Sequence, residues 1–189
     1  MKIPLFQNKT PTLDELIARC KQEDRKAQKL LYERFSSKML GLCRRYVGQL
    51  ETAEELLSNG FIKAFRYINQ FEHKGSFEGW LRKIMVRECL SHLRTDKISI
   101  VPLESEYFKF EPVDLAADHL ETADLMKMID ALPSGYRTVF NLYVIEGYKH
   151  HEIAELLDIS ENTSKTQLMK AKQALQKMIS AIENREYYC

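Results

Sequence analysis

Trp80 is the only tryptophan in the chain, and Lys83, Arg87, Ser91 and Arg94 follow it at helical spacing. At 100° per residue these five share one face, while Met85, Val86, Cys89, Leu90 and Leu93 share the other. An aromatic plane flanked by cations suits one kind of chemistry well. It stacks on an unpaired base while the basic groups hold the phosphate backbone. Phe71, Phe77 and the loop formed by His73, Lys74, Gly75 and Ser76 lie just upstream, where they could line a pocket for an extruded base. Arg82 fits this arrangement poorly, because it falls toward the apolar side. Residue type alone also allows Trp80 to pack against a helical bundle, and that alternative stays open.

A second group of readers lies near the end of the chain. A short amphipathic helix over 150–157, with Ile153, Ala154 and Leu157 inward, is followed by Asp158, Ile159 and Ser160 and then by a longer helix over about 162–178. A small residue at 154 lets two helices cross closely, and Ile159 plugs the angle between them, which is the construction of a helix-turn-helix. Ser160 is placed to cap the second helix. Ser164, Leu168, Ala171 and Leu175 form its inner face. Asn162, Thr166, Met169 and Lys170 point the opposite way, with Thr163, Lys165 and Gln167 on the flanks. Amides and hydroxyls there could read base edges in a major groove while the lysines meet phosphates. A solvated lysine face on a small bundle is the plainer alternative.

A third surface is of a different kind. On a helix over about 52–68 the stripe Ala53, Leu56, Leu57, Phe61, Ala64 and Ile68 is apolar. Glu54, Glu55, Ser58, Ile62 and Phe65 lie away from it, mixing carboxylates with exposed apolar groups. Such a mixture suits docking of another protein, unless Phe65 only borders the core.

Catalytic signatures are missing. The sequence contains no phosphate-cradling GxxxxGK, no metal-ligand cluster and no evident pairing of nucleophile and base. His150 and His151 are adjacent and lack the i, i+4 spacing of a helical metal site, so they read as solvent or phosphate contacts. Cys20, Cys43, Cys89 and Cys189 are widely spaced and form no CxxC pair; Cys43 and Cys89 read as small core residues and Cys189 as a free tail thiol. The expectation is a non-enzyme that needs neither cofactor nor metal.

The elements that must position these surfaces are nearly all helices. Only 7 glycines and 5 prolines occur in 189 residues, and no run of β-branched residues reads as a strand. Thr12 and Glu15 have capping-box spacing ahead of Leu13, Leu16, Ile17 and Cys20. A second helix is expected over about 24–46, with Ala27, Leu30, Leu31, Phe35 and Leu42 buried, and a fourth begins at Ser76. Between 96 and 123 the periodicity fails around Pro102 and Pro112, and resumes at Leu125, Met128, Ile129 and Leu132. A stretch that long reads as a tether between domains. The fold class is therefore all-α, with two small helical domains, 12–95 and 124–184, joined by an acidic linker over 96–123.

Charge follows the same division. The net formal charge of +1 hides +7 over 1–95, −5 over 96–123 and −1 over 124–189. A basic half implies a polyanionic partner, and the acidic strap either covers that basic surface or follows a basic channel of a partner. No apolar run reaches the ~18 residues of a membrane span, and the first residues lack a secretion signal, so the cytoplasm is expected.

Taken together, these residues resemble the sigma-70 family of bacterial transcription initiation factors, in particular the two-domain extracytoplasmic-function (ECF) group. The resemblance covers about 12–95 and 124–180. The segment from Thr52 through Glu54, Glu55, Leu56, Leu57, Ser58, Asn59, Gly60, Phe61, Ile62, Lys63, Ala64 and Phe65 is similar to the family segment that grips core RNA polymerase. Phe77, Glu78, Gly79, Trp80, Leu81, Arg82, Lys83 and Ile84, with Leu90 to Arg94, resemble its promoter-melting and minus-ten segment. Leu132, Pro133, Tyr136, Arg137, Phe140, Gly147 and Tyr148, followed by the helix-turn-helix, resemble the minus-thirty-five reader.

The resemblance implies polymerase contacts at Glu54, Glu55, Ser58, Asn59, Ile62 and Phe65. It implies DNA contacts at Phe77, Trp80, Lys83, Arg87, Ser91 and Arg94 in the first domain, and at Asn162, Thr163, Lys165, Thr166, Gln167 and Lys170 in the second. Core RNA polymerase and promoter DNA, as upstream duplex and minus-ten single strand, are the implied partners; an anti-sigma factor is common in the group and is carried by the resemblance alone. The chain departs from the pattern in places. Ser58 and Asn59 stand where Gln and an acid are common, Arg87 and Ser91 where Asn or Asp is common, Asp158 replaces a turn glycine and Ser164 a buried Val. The Thr163, Ser164, Lys165, Gln167, Leu168 variant looks like that of Bacteroidetes. A stand-alone helix-turn-helix regulator is the competing reading, and it leaves Trp80 and its basic neighbours without a use.

Overall fold

The computed structural model describes residues 10–95 and 122–186, and among them every regular element is helical. The acidic strap, apart from its last two residues, lies outside the described residues, as does Cys189. The first four helices are α1 (Leu13–Cys20), α2 (Arg25–Val47), α3 (Leu50–Tyr67) and α4 (Phe77–Thr95), with a 3₁₀ turn over Ile68–Gln70. After the strap come α5 (Thr122–Asp130), α6 (Ser134–Phe140), a π-helical turn over Asn141–Ile145, α7 (His150–Leu157) and α8 (Glu161–Glu186).

Local chemistry sets the boundaries. Thr12 N–H donates to Glu15 Oε2 at 2.7 Å and Glu15 N–H to Thr12 Oγ1 at 3.3 Å, closing the capping box that starts α1. Asp24 accepts from the backbone of Lys26 and Ala27 at the start of α2. Its carboxyl pKa is held below the usual range, first by the hydrogen bond from Arg19. Ser76 Oγ accepts from Gly79 N–H at 3.0 Å ahead of α4, and Ser160 Oγ from Thr163 N–H at 3.0 Å ahead of α8. Asp158 ends α7 in the left-handed region at φ 54°, where glycine would sit without strain.

Helices α2, α3 and α4 pack around Leu31, Met39, Leu42, Tyr46, Leu81, Met85, Leu90 and Leu93, all fully buried or nearly so. Burial of each such aliphatic side chain contributes roughly 1.5–3 kcal/mol. Gly60 lets α3 lie close against α4, since a Cβ there would collide with the Met85 thioether. Cys43 and Cys89 are buried in this core as reduced thiols, with Cys20 buried beside α1. The second unit packs α5 and α6 against α8 through Met128, Leu132, Ala171, Ala174 and Met178. Leu30, expected inside, is 39% exposed. The inner stripe of α2 runs Ala27, Leu31, Phe35, which rotates residue 30 outward.

The two units touch directly. The larger apolar core runs on from the first bundle into Val139, Leu142, Ile153, Leu157 and Leu168. Polar contacts also cross the boundary: Asn141 Nδ2 donates to the Arg45 carbonyl at 2.8 Å, and Glu146 accepts from both Arg45 and Arg82.

Candidate nucleic-acid interface

The loop before α4 is shaped by two left-handed residues, His73 at φ 56° and Gly75 at φ 111°, and Lys21 Nζ anchors its start by donating to the Phe71 carbonyl at 3.0 Å. Behind it the aromatics form one cluster. Trp80 lies 5.6 Å from Phe71 and 5.5 Å from Phe77, centroid to centroid; Phe71 meets Phe77 edge-on at 5.4 Å, and Phe77 meets Phe35 at 5.5 Å. Phe71 and Phe77 are buried and Trp80 is half-buried. A cavity of about 290 Å³ opens over this cluster, lined in part by Phe71, Lys74, Ser76, Trp80 and Lys83. That volume is at the small end for ligand sites, which suits a single planar ring.

Phe77 requires a correction. At 4% exposure it cannot stack on a base from its present position. Its ring backs the pocket and props Trp80. The reason is position: as the first residue of α4 it caps the core end of the Leu81, Met85 stripe. Trp80 packs on Phe71 and Phe77 with one part and lines the cavity with another.

Lys83, Arg87, Ser91 and Arg94 are all exposed along α4, and the three cations form no ion pair among the described residues. They make a basic track leading away from the pocket, of a kind that suits phosphates.

On α8, Asn162, Lys165, Thr166 and Met169 are exposed, and Thr163 and Lys170 half-buried. Lys165 is engaged by Glu161 at 3.2 Å, an exposed i, i+4 pair that a phosphate could displace. Gln167 is the second correction: it is fully buried and does not belong to the outer face. The buried stripe runs Ser164, Gln167, Leu168, Ala171, Ala174, Met178, so Gln167 continues the row that packs inside its own domain. Ser164, in place of a buried apolar residue, is satisfied by His150 Nδ1 at 2.9 Å, and the His150 ring stacks on Tyr143 at 4.4 Å. His150 therefore has an internal partner that its sequence context does not reveal. Burial, then the charges of Lys165 and Lys172, push its pKa below the ordinary histidine value, which favours the neutral ring beside the serine hydroxyl.

On α3, Glu54, Glu55, Ser58 and Ile62 are exposed, Ile62 at 57%, while Asn59 and Phe65 are half-buried. Phe65 leans on Phe61 at 5.8 Å and borders the core. The carboxylates and Ile62 thus form an open patch, with Phe65 at its edge.

Sequence reasoning missed Glu146, Arg45 and Asn141. The one available signal was Arg82, whose angular position fits no basic face. Among the described residues no group of three His, Cys, Asp or Glu side chains is placed to hold a metal ion, and no helix is long and apolar enough to cross a membrane.

An aromatic pocket with a basic track on one helical bundle, joined to a helix-turn-helix on another, is an arrangement suited to a DNA-binding protein. Two family models match the chain: "Sigma-70 region 2" over residues 31–97 and "Sigma-70, region 4" over 122–175. The chain is 27% identical over 180 residues to the ECF RNA polymerase sigma-E factor of Haemophilus influenzae, covering 88% of this chain and 95% of that one. It is 25% identical over 181 residues to the RNA polymerase sigma-H factor of Pseudomonas aeruginosa, covering 89% and 94%. The fold matches that of the sigma factor RpoE from Bartonella quintana, solved with the anti-sigma factor NepR, at a TM-score of 0.52 and 20% identity, over 80% of this chain and 96% of that one. The chain belongs to the sigma-70 family, as an RNA polymerase sigma factor of the ECF group.

Proposed function

We propose that the chain acts in the cytoplasm as a non-enzymatic specificity subunit, with the work divided among three surfaces. The outer face of α3, through Glu54, Glu55, Ser58, Asn59 and Ile62, docks on core RNA polymerase. The exposed face of α8, through Asn162, Thr163, Lys165, Thr166 and Lys170, reads the upstream promoter element as duplex. The Trp80 pocket captures an unstacked base of the minus-ten strand while Lys83, Arg87, Ser91 and Arg94 follow its backbone. The functional units are 12–95, a linker over 96–123, and 124–184.

The observation that carries this reading is the half-buried Trp80 at the mouth of a cavity, beside cations that form no ion pair among the described residues. Strand opening then draws on binding energy alone. An anti-sigma protein is a further proposed partner, since the Bartonella quintana sigma factor that shares the fold was solved with one.

Run-off transcription with reconstituted polymerase tests the assignment of α8. Changing Lys165, Thr166 and Lys170 together to Ala should lower promoter-specific output at least about tenfold. Each lysine that meets a phosphate should also reduce the salt dependence of binding by about one unit of slope. Unchanged specific output would reject α8 as the reader. Tight duplex binding without polymerase would favour a stand-alone regulator instead.

A further inference from the structure

The π-helical turn Asn141–Ile145 grips the first bundle at both of its ends. At one end the fully buried Asn141 donates to the Arg45 carbonyl on α2. At the other, Glu146 N–H closes the turn on the Asn141 carbonyl at 2.9 Å, and Gly147 follows at φ 78°, a reversal that directs residue 146 back toward α2 and α4. The Glu146 carboxylate takes Arg82 in a fork, with Nε at 3.1 Å and Nη2 at 2.7 and 2.8 Å, and accepts from Arg45 Nη2 at 3.4 Å. Its side chain is only 4% exposed, against 29% for Arg82 and 18% for Arg45. One carboxylate between two guanidinium groups, shielded from water, is a specific and geometrically demanding contact. Wide π turns of this sort recur where a fold carries a functional adjustment.

The position of Arg82 gives the contact its meaning. It lies between Trp80 and Lys83 on α4, and a cavity of about 320 Å³ beside it is lined by Gly79, Lys83, Gly147 and Tyr148. Gly79 and Lys83 also line the Trp80 pocket. The second unit therefore closes directly against the helix proposed to capture the strand. Two promoter elements centred about 25 base pairs apart are separated by about 85 Å at 3.4 Å per pair. A compact chain of this length has a radius of gyration of only about 16 Å. The closed arrangement cannot serve both elements at once. The α3 patch, by contrast, has Glu54, Glu55, Ser58 and Ile62 exposed among the described residues, while its helix packs mainly against α2 and α4.

Resting on the reading of α4 and α8 given above, we propose that Glu146 is an internal latch. It holds the free chain closed and occupies Arg82 in the way a DNA phosphate would, so that polymerase can dock on α3 before the reading heads separate. Release of the latch leaves Arg82 an unpaired cation beside Trp80 and Lys83, off the line of the basic track but available to a phosphate.

Small-angle scattering on the full chain, wild type against Glu146→Arg, tests the latch without polymerase. Charge reversal places three guanidinium groups together, and the radius of gyration should rise from about 16 Å to above about 20 Å, with helical circular dichroism unchanged. The free variant should also bind a promoter fragment at least about fivefold more tightly than wild type. An unchanged radius overturns the latch, and so does expansion without tighter DNA binding. Should Glu146→Arg fail to fold, Glu146→Gln decides the matter by hydrogen exchange: faster exchange over 141–148 supports the latch, and unchanged exchange overturns it. Failure of both expanded variant and wild type to bind core polymerase would refute the reading of α3 and leave the latch standing on scattering.

Discussion

Replacing Trp80 by Ala separates packing from strand capture. The half-buried ring meets two aromatic neighbours, at 5.5 and 5.6 Å, and such pairs are worth about 0.5–1.5 kcal/mol each beyond the area they bury, so the folded state should lose at least about 1–3 kcal/mol. Against a typical domain stability of about 5–15 kcal/mol the variant stays folded. A base stacked on the indole contributes about 1–3 kcal/mol, which predicts an open-complex equilibrium reduced about 5- to 150-fold. Phe77→Ala behaves in the opposite manner. That ring is 4% exposed and touches Phe35, Phe71 and Trp80, so its loss should cost about 3–5 kcal/mol of stability. The assay pairs urea unfolding of each variant with permanganate reactivity of thymines in the opened region, using reconstituted polymerase. Trp80→Phe should restore part of the opening, because a smaller π face remains. If Trp80→Ala opens promoters as well as wild type, the indole is a packing residue only and the pocket has no role in capture.

Two other outcomes follow from the same geometry. Ile62→Asp removes the most exposed apolar side chain of α3; stability should change by no more than about 0.5 kcal/mol, while affinity for core polymerase, measured by fluorescence anisotropy, should fall about tenfold or more. Because the folded-state pKa of His150 lies below its ordinary value of 6.5, the unfolded chain binds more protons between those two values, so His150's contribution to stability is intact above about 6.5 and is lost as pH falls through that window. NMR titration should place the His150 midpoint below 6.5, and Ser164→Ala should remove the ring's hydroxyl partner. A midpoint at or above 6.5 would contradict the neutral-ring assignment.

Most of the fold was legible because it depends on short-range rules. Capping at Thr12, Ser76 and Ser160 was readable because a hydroxyl ahead of an apolar period has one obvious use. The bounds of α7 follow directly from the spacing of Ile153, Ala154 and Leu157. The outer patch of α3 and the basic track of α4 were visible for the same reason: helical periodicity separates a wet face from a dry one. Where a face is shared with another element, that rule weakens. Gln167 sits at a stripe edge, and only the packing of α8 inside its own domain turns it inward; Phe77 sits at a helix start, where periodicity has little reach.

The amino-acid order by itself determined two helical units, their polar and apolar faces, and the motifs that mark a sigma-70 protein, since each of these is written within three or four residues of itself. What the tertiary structure alone decided is which faces meet. Residues 45, 82 and 146 are separated by 37 and 64 positions, and no local pattern announces that a carboxylate will fill the space between two arginines. Arg82 is out of phase with its basic neighbours because its partner lies on another unit, and a pairing at that range is set by how the bundles close, not by the period of either helix.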